Sequence, residues 1–323
     1  MTPIVRLQLS LLICGLAVAI NPQASSAQTI KIGLINSYSG FLAQSGDEMQ
    51  KGIDLYLKEH EQELPAGVKI ELVRRDDGAV PDTGKRVAQE LIAREQVQLL
   101  LGVTGSPVAA AVAPLTEQAK IPLVITNAGG AAIPRLSPYV VRVSFTLWQQ
   151  AYPLGQWAAK QSWKTAYTAV SDFVAGHDAE SAFTKGWNDA GLKMLGTVRF
   201  PVNNPDFTPI IQRIKDTKPD VAFIWVPGQE QATAVLKTTR DFGLQQAAIN
   251  VVSTQDLISD EQLPLIGDVA AGLVTSGTYS TPLQPTVRPT RHFWPLGTAN
   301  TVAKRFRISW RSAVGMGWRR YLI

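Results

Sequence analysis

Cysteine is almost missing from this sequence: Cys14 is the only one, and it sits in an apolar leader. A chain that loses that leader has no disulfide, no thiolate metal ligand and no cysteine nucleophile. Nor does Ile13, just before it, supply the small residue that a lipid anchor requires. Histidine is scarce as well: His60, His177 and His292 lie far apart, and none belongs to a metal-ligand spacing. There is no GxSxG nucleophile elbow. GAVPDTGKR has five residues between its glycines and Arg86 where a phosphate loop needs Ser or Thr, and NAGGAA lacks dinucleotide spacing. These gaps argue against a metal, a nucleotide or another cofactor, and against an enzyme. Asp76 and Asp77 could pair on a cation, but DDG after a strand reads as a solvated turn.

Acidic residues are missing from one region alone. Residues 284–323 contain no Asp or Glu, but they hold Arg288, Arg291, Lys304, Arg305, Arg307, Arg311, Arg319 and Arg320. The 31 Lys and Arg of the chain, less these eight, leave 23 against 26 Asp and Glu, so the rest carries −3 and not +5. Trp294, Trp310 and Trp318 interleave with the basic residues, as in a nucleic-acid arm, a partner that makes little sense for an exported protein. The charges and aromatics keep no helical period, which argues against a membrane-surface helix.

The amino terminus supplies the export signal. MTPIVRLQLSLLICGLAVAI has one basic residue and an apolar run too short to span a bilayer, and Ser25 and Ala27 provide small side chains for cleavage. Residues 1–27 read as a signal peptide cut near Ala27, which places the protein in the periplasm. At 323 residues, two domains are expected.

From Thr29 onward, short apolar runs alternate with amphipathic ones. TIKIGLI, VKIELVRR, VQLLLGV and IPLVIT read as strands, separated by a helix from near Asp47, a helix with Asp82 as N-cap, and PVAAAVAPLTEQA. After YVVRVSF the series restarts with TAYTAVS, MLGTVRF, DVAFIWV and NVVST as strands. The expected fold is α/β: two similar doubly wound parallel-sheet lobes, 28–143 and 144–275, with an interlobe cleft, a return crossover at 276–283 and the tail from 284. Ligands in such sheets sit beyond the carboxyl ends of the strands, at NSYSGFLAQSG, VTGSP, TNAGGA, SDFVAGHD, VPGQE and STQD. GVTGSPVAAAVAP carries the sharpest local chemistry. Ser106 at an N-cap, with Pro107 at the first helical position, would offer a hydroxyl, free amides and the positive end of a helix dipole to a carboxylate.

The blocks IGLINSYSGFLAQSGDEMQKGIDL, LLLGVTGSPVAAAVAP, SDFVAGHDAESAFTKGWNDAG, FTPIIQRIKDTKPDVAFIWVPG and LKTTRDFGL resemble type I periplasmic solute-binding proteins, the branched-chain amino acid family of ABC transporters. The resemblance implies a monomer that closes two lobes on a small molecule, docks on an inner-membrane permease and performs no chemistry. A sensory module of the same fold, or a non-functional truncated product, is the alternative. The resemblance also implies site residues. Ser106 matches the carboxylate-binding serine, and Ala128 a residue whose carbonyl receives an ammonium group. Gly130 stands where leucine binders use threonine, Ala175 where they place tyrosine, Ser45 where they have an aromatic, and Gln255 where a glutamate balances the ammonium charge. With Ser39, Thr104, Gly129, Trp148, Phe173 and Gln229, these are the expected ligand contacts. A kept carboxylate site with weakened ammonium partners points to an acid without an α-amino group, Asp256 being a candidate substitute counter-ion.

The resemblance fades near Leu283, where the family continues with elements that complete the first lobe. Reading permitted codons from the third base beyond Gln284 restores a family-like continuation, and the single-codon residues Met316, Trp294, Trp310 and Trp318 fit it. A frameshift near codon 284 is therefore expected. The chain as written would then have an irregular 284–323, an incomplete first lobe and one poorly covered sheet face.

Overall fold

The computed structural model describes residues 28–258 and 263–278. The leader, its cleavage point, the tail from 284 and the reading-frame expectation all lie outside the described residues, as does most of the crossover at 276–283.

Among the described residues, ten strands form two five-stranded sheets, all of whose pairings are parallel. The first lobe contains β1 (Gln28–Asn36), β2 (Val68–Asp76), β3 (Leu99–Gly102), β4 (Leu123–Ile125) and β5 (Val140–Arg142), in the order β2-β1-β3-β4-β5. The second contains β6 (Thr165–Ser171), β7 (Lys193–Phe200), β8 (Val221–Trp225), β9 (Asn250–Thr254) and β10 (Val274–Ser276), in the order β10-β9-β8-β6-β7. Helices α1 (Ala43–Glu59), α2 (Pro81–Ala93) and α3 (Ser106–Ala119) belong to the first lobe. The others are α4 (Leu147–Ala159), α5 (Val174–Asn188), α6 (Thr208–Thr217), α7 (Gln229–Asp241) and a short α8 (Leu263–Ile266).

Three helix starts differ from the sequence expectation. The helix placed near Asp47 begins at Ala43, after a 3-10 turn at Gly40–Leu42. Asp82 does not cap its helix. Pro81 occupies the first helical position, where its fixed φ suits the turn, and this leaves Asp82 inside the first turn with its charge on the positive dipole end. Likewise Gly105, extended at φ −100° and ψ 136°, is the N-cap of α3, and Ser106 is its first residue.

The core explains why the strands are continuous apolar runs. In the first lobe Leu100, Leu123 and Val140 lie in register on one face and are buried with Leu91 of α2 and Val108 and Val112 of α3. On the other face Leu34 is buried, but its register partners Leu101 and Val124 are half-buried and Val141 is 48% exposed. In the second lobe α6 and α7 bury Ile211, Ile214 and Leu236 on one face, while α4 and α5 bury Leu154, Phe183 and Trp187 on the other. Phe183 stacks on Phe223 at 4.6 Å, and each such ring removes a large apolar area from water.

Candidate ligand cleft between the lobes

The first lobe brings Ser106 to the cleft through a strained exit from β3. Val103, a buried β-branched residue, takes φ +62°, a conformation that costs about 1–3 kcal/mol. It is held there by Val103 N–H to the Ile35 carbonyl at 2.6 Å and by Ala128 N–H to its own carbonyl at 3.2 Å. The chain then turns through Thr104 and Gly105 into α3. Because Ser106 is helical, its hydroxyl does not cap α3; it accepts the Gly130 N–H at 3.0 Å. A hydroxyl that accepts this bond keeps its own hydrogen for another acceptor.

The turn after β4 is fixed on the far side. Arg142 Nη1 donates to the Gly130 carbonyl at 2.6 Å and the Ala128 carbonyl at 3.3 Å, while Ser144 Oγ donates to the Asn127 carbonyl and Leu147 N–H to that of Gly129. Burial pulls the Arg142 pKa down, and the Asp178 carboxylate partly offsets that.

The second lobe closes over this corner. Ala131 N–H, one residue past Gly130, donates to Asp178 Oδ2 of α5 at 2.7 Å, and the Trp148 indole N–H reaches Asp178 Oδ1 at 3.4 Å. At the opposite lip, the Gln229 side chain pairs with Gln44 and donates to Glu48 Oε1 at 3.1 Å. Phe41 of the first lobe meets Phe173 of the second, and Phe173 lies 5.5 Å from Trp225. The residues that follow Phe41 and Phe173, Leu42 and Val174, pack at the Ser106 corner. A Cβ on Gly105 would touch Leu42 at 3.2 Å, and one on Gly130 would touch Val174 at 3.2 Å and Ser106 at 3.3 Å. Beyond Trp225, whose indole donates to Asp256 at 3.1 Å, Thr254 Oγ1 holds the same carboxylate and burial pushes its pKa up.

Of the sequence-predicted residues, the structure gathers Ser106, Ala128, Gly129, Gly130, Trp148, Phe173 and Gln229 around the cleft. Thr104 lies behind it: the hydroxyl accepts the Ser37 N–H and points to Met49 sulfur. Ser39 is exposed and bonded to Asp76. Ala175 is buried in the second-lobe core, and Gln255 Oε1 accepts the Thr278 N–H at the crossover. Sequence reasoning missed Phe41, Arg142, Asp178 and Trp225, which lie in the quoted loops or at strand ends but carry no motif. It also misjudged the DDG turn. Asp77 is fully buried, accepting from Ser37 Oγ at 2.6 Å and Ala79 N–H at 2.7 Å, because the turn folds beneath the loop after β1. Among the described residues, no three His, Cys, Asp or Glu side chains form a metal cluster.

The family model for periplasmic binding proteins matches residues 29–293. The chain belongs to this family. The match runs past Leu283, where the resemblance of the quoted blocks fades. The chain is 37% identical over 258 residues to Leu/Ile/Val-binding protein homolog 6 of Brucella suis biovar 1, covering 80% of this chain and 66% of that protein. It thus spans just under two thirds of that curated relative. A solute-binding protein of an ABC transporter from Rhodopseudomonas palustris BisB5, in complex with 3,4-dihydroxybenzoic acid, is 37% identical with TM-score 0.79, over 89% of this chain and 77% of the other. A second such protein from R. palustris, in complex with 4-hydroxybenzoate, is 38% identical with TM-score 0.75, over 79% and 70%. The fold is that of type I periplasmic binding proteins.

Proposed function

We propose that this chain is the solute-binding component of an ABC importer and that its ligand is a small aromatic carboxylic acid, bound between the lobes without chemistry. The observation that carries the reading is the pairing of two surfaces. Ser106 and the first turn of α3 present donors and a positive dipole end, and Phe41, Phe173 and Trp225 form a run of aromatic rings from one lobe to the other. A carboxylate on a flat apolar body suits both. The hydroxybenzoates held by two relatives of 37–38% identity support the same class. In this reading the protein is exported, loses residues 1–27, works in the periplasm as a monomer and delivers its solute to a permease in the inner membrane.

Isothermal titration of the purified protein with 4-hydroxybenzoate, 3,4-dihydroxybenzoate, benzoate, leucine and isoleucine tests it. Binding of one or more of the aromatic acids, weaker binding of leucine and isoleucine, and loss of acid binding in Ser106→Ala are expected. Heat from leucine or isoleucine alone would replace the aromatic acid with a branched-chain amino acid.

A further inference from the structure

The carbonyls of the turn at residues 127–130 are occupied, while the Ser106 hydroxyl beside them keeps a hydrogen to donate. Every carbonyl from Asn127 to Gly130 already receives a hydrogen bond from within the protein: Asn127 from Ser144 Oγ, Ala128 and Gly130 from Arg142, and Gly129 from Leu147 N–H. The Thr104 carbonyl beside them is taken by Asn127 Nδ2 at 2.9 Å. An ammonium group brings three donors and no acceptor, so it would have to displace these bonds or share their oxygens. A carboxylate brings only acceptors, which is what the Ser106 hydroxyl lacks.

The charge behind the turn has the same sign preference. Arg142 is half-buried, is always protonated, and has no carboxylate within ion-pair distance among the described residues. Its guanidinium is one peptide group away from the Gly130 N–H that bonds Ser106. In a site shielded from water such a charge attracts an anion and repels a cation over several ångströms. Two acids stand close enough to favour an ammonium instead. Asp178 keeps its charge and partly offsets that of Arg142, but both its oxygens are engaged, by Ala131 N–H and the Trp148 indole. Asp256 is held by Thr254 and Trp225 at the other end of the aromatic wall.

We propose that Arg142 determines the charge class of the ligand: by occupying the Ala128 and Gly130 carbonyls and leaving its positive charge behind the Ser106–Gly130 pair, it admits carboxylates without an α-ammonium and excludes zwitterionic amino acids. The inference rests on the aromatic-acid reading given above.

Titration of wild type, Arg142→Met, Arg142→Gln and Arg142→Lys with 3-(4-hydroxyphenyl)propanoate and L-tyrosine, which share the phenol and the three-carbon acid and differ only in the α-ammonium, tests it. Wild type should prefer the acid. In Arg142→Met that preference should shrink by about tenfold or more, while Arg142→Lys, which keeps the charge, should retain most of it. Circular dichroism and the melting temperature check that each variant folds. Should Arg142→Met fail to fold, Arg142→Gln, which keeps a donor for the carbonyls without the charge, should show the same loss. An unchanged acid-to-tyrosine ratio in a folded Met or Gln variant would overturn the assignment while leaving the aromatic-acid reading intact. Wild-type binding of tyrosine in preference to the acid would sink both.

Discussion

Phe41 and Phe173 meet edge to face across the cleft, with ring centroids 6.5 Å apart and planes at 75°. Each ring follows the first strand of its own sheet, so the two lobes touch through corresponding loops. Phe41→Ala removes the first-lobe half of the aromatic wall and should weaken 4-hydroxybenzoate binding by about tenfold, the upper end of what an aromatic pair contributes. Titration calorimetry measures the loss, and an unchanged affinity would place the ligand elsewhere.

Far from the cleft, α4 and α5 cross through glycine. A Cβ on Gly186 would lie 2.9 Å from the Gln156 nitrogen and 3.2 Å from the Gly155 carbonyl carbon, and nearer still to the Tyr152 carbonyl oxygen. Backbone cannot yield as a side chain end does, so Gly186→Ala should cost about 1–3 kcal/mol in urea unfolding. Ligand affinity in the folded fraction should stay within roughly twofold of wild type, since the sites are well separated.

Asp77 predicts a pH dependence. Burial raises its pKa despite bonds from Ser37 and Ala79, and its Oδ2 is buried without a hydrogen-bond partner. The folded state therefore binds this proton more tightly than the unfolded state. The group's destabilising effect is fully present above its folded pKa and is relieved as pH falls toward the unfolded carboxylate value. Asp77→Asn should stabilise the protein by on the order of 1 kcal/mol at pH 7 and by progressively less as the pH is lowered. A gain that is constant across pH would contradict this.

Asp220 behaves in the opposite sense. Its Oδ2 accepts from Lys164 N–H, Thr165 N–H and Thr165 Oγ1 at 2.8–2.9 Å, and the Lys164 amide bond leads the causes that lower its pKa. Its contribution is present above the ordinary carboxylate pKa and is lost as pH falls through the lowered folded value. Asp220→Ala should cost about 1–2 kcal/mol at pH 7, and the difference from wild type should close in acid. Chemical denaturation at pH 7 and near pH 3 measures both.

The apolar runs that read as strands do form the parallel sheets, since LLLG, VAFIW and NVVST are buried on one or both faces and local pattern decides such segments. The position of Ser106 at the carboxyl end of β3 was legible because its signal is local: a serine and a proline directly after an apolar strand. Arg142 and Asp178 were not, because each acts only through partners brought close by the fold, the Gly130 carbonyl 12 residues away and the Ala131 amide 47 residues away. The cap of α3 was misplaced because Gly105 and Ser106 both suit that position, and only the bond from Gly130 decides between them. A buried Asp77 was illegible because DDG states a turn's chemistry and not what packs above it.

The strand orders β2-β1-β3-β4-β5 and β7-β6-β8-β9-β10 place first, second, third, fourth and fifth strands identically in the two sheets. One chain thus uses the same strand plan twice. In the proposed reading, recognition is divided between the two sheets. One contributes the anion corner of Ser106 and Gly130, and the other most of the ring wall of Phe173 and Trp225. Recombination that swapped a single lobe between relatives would transmit half a specificity, keeping the taste for an acid while changing the body attached to it.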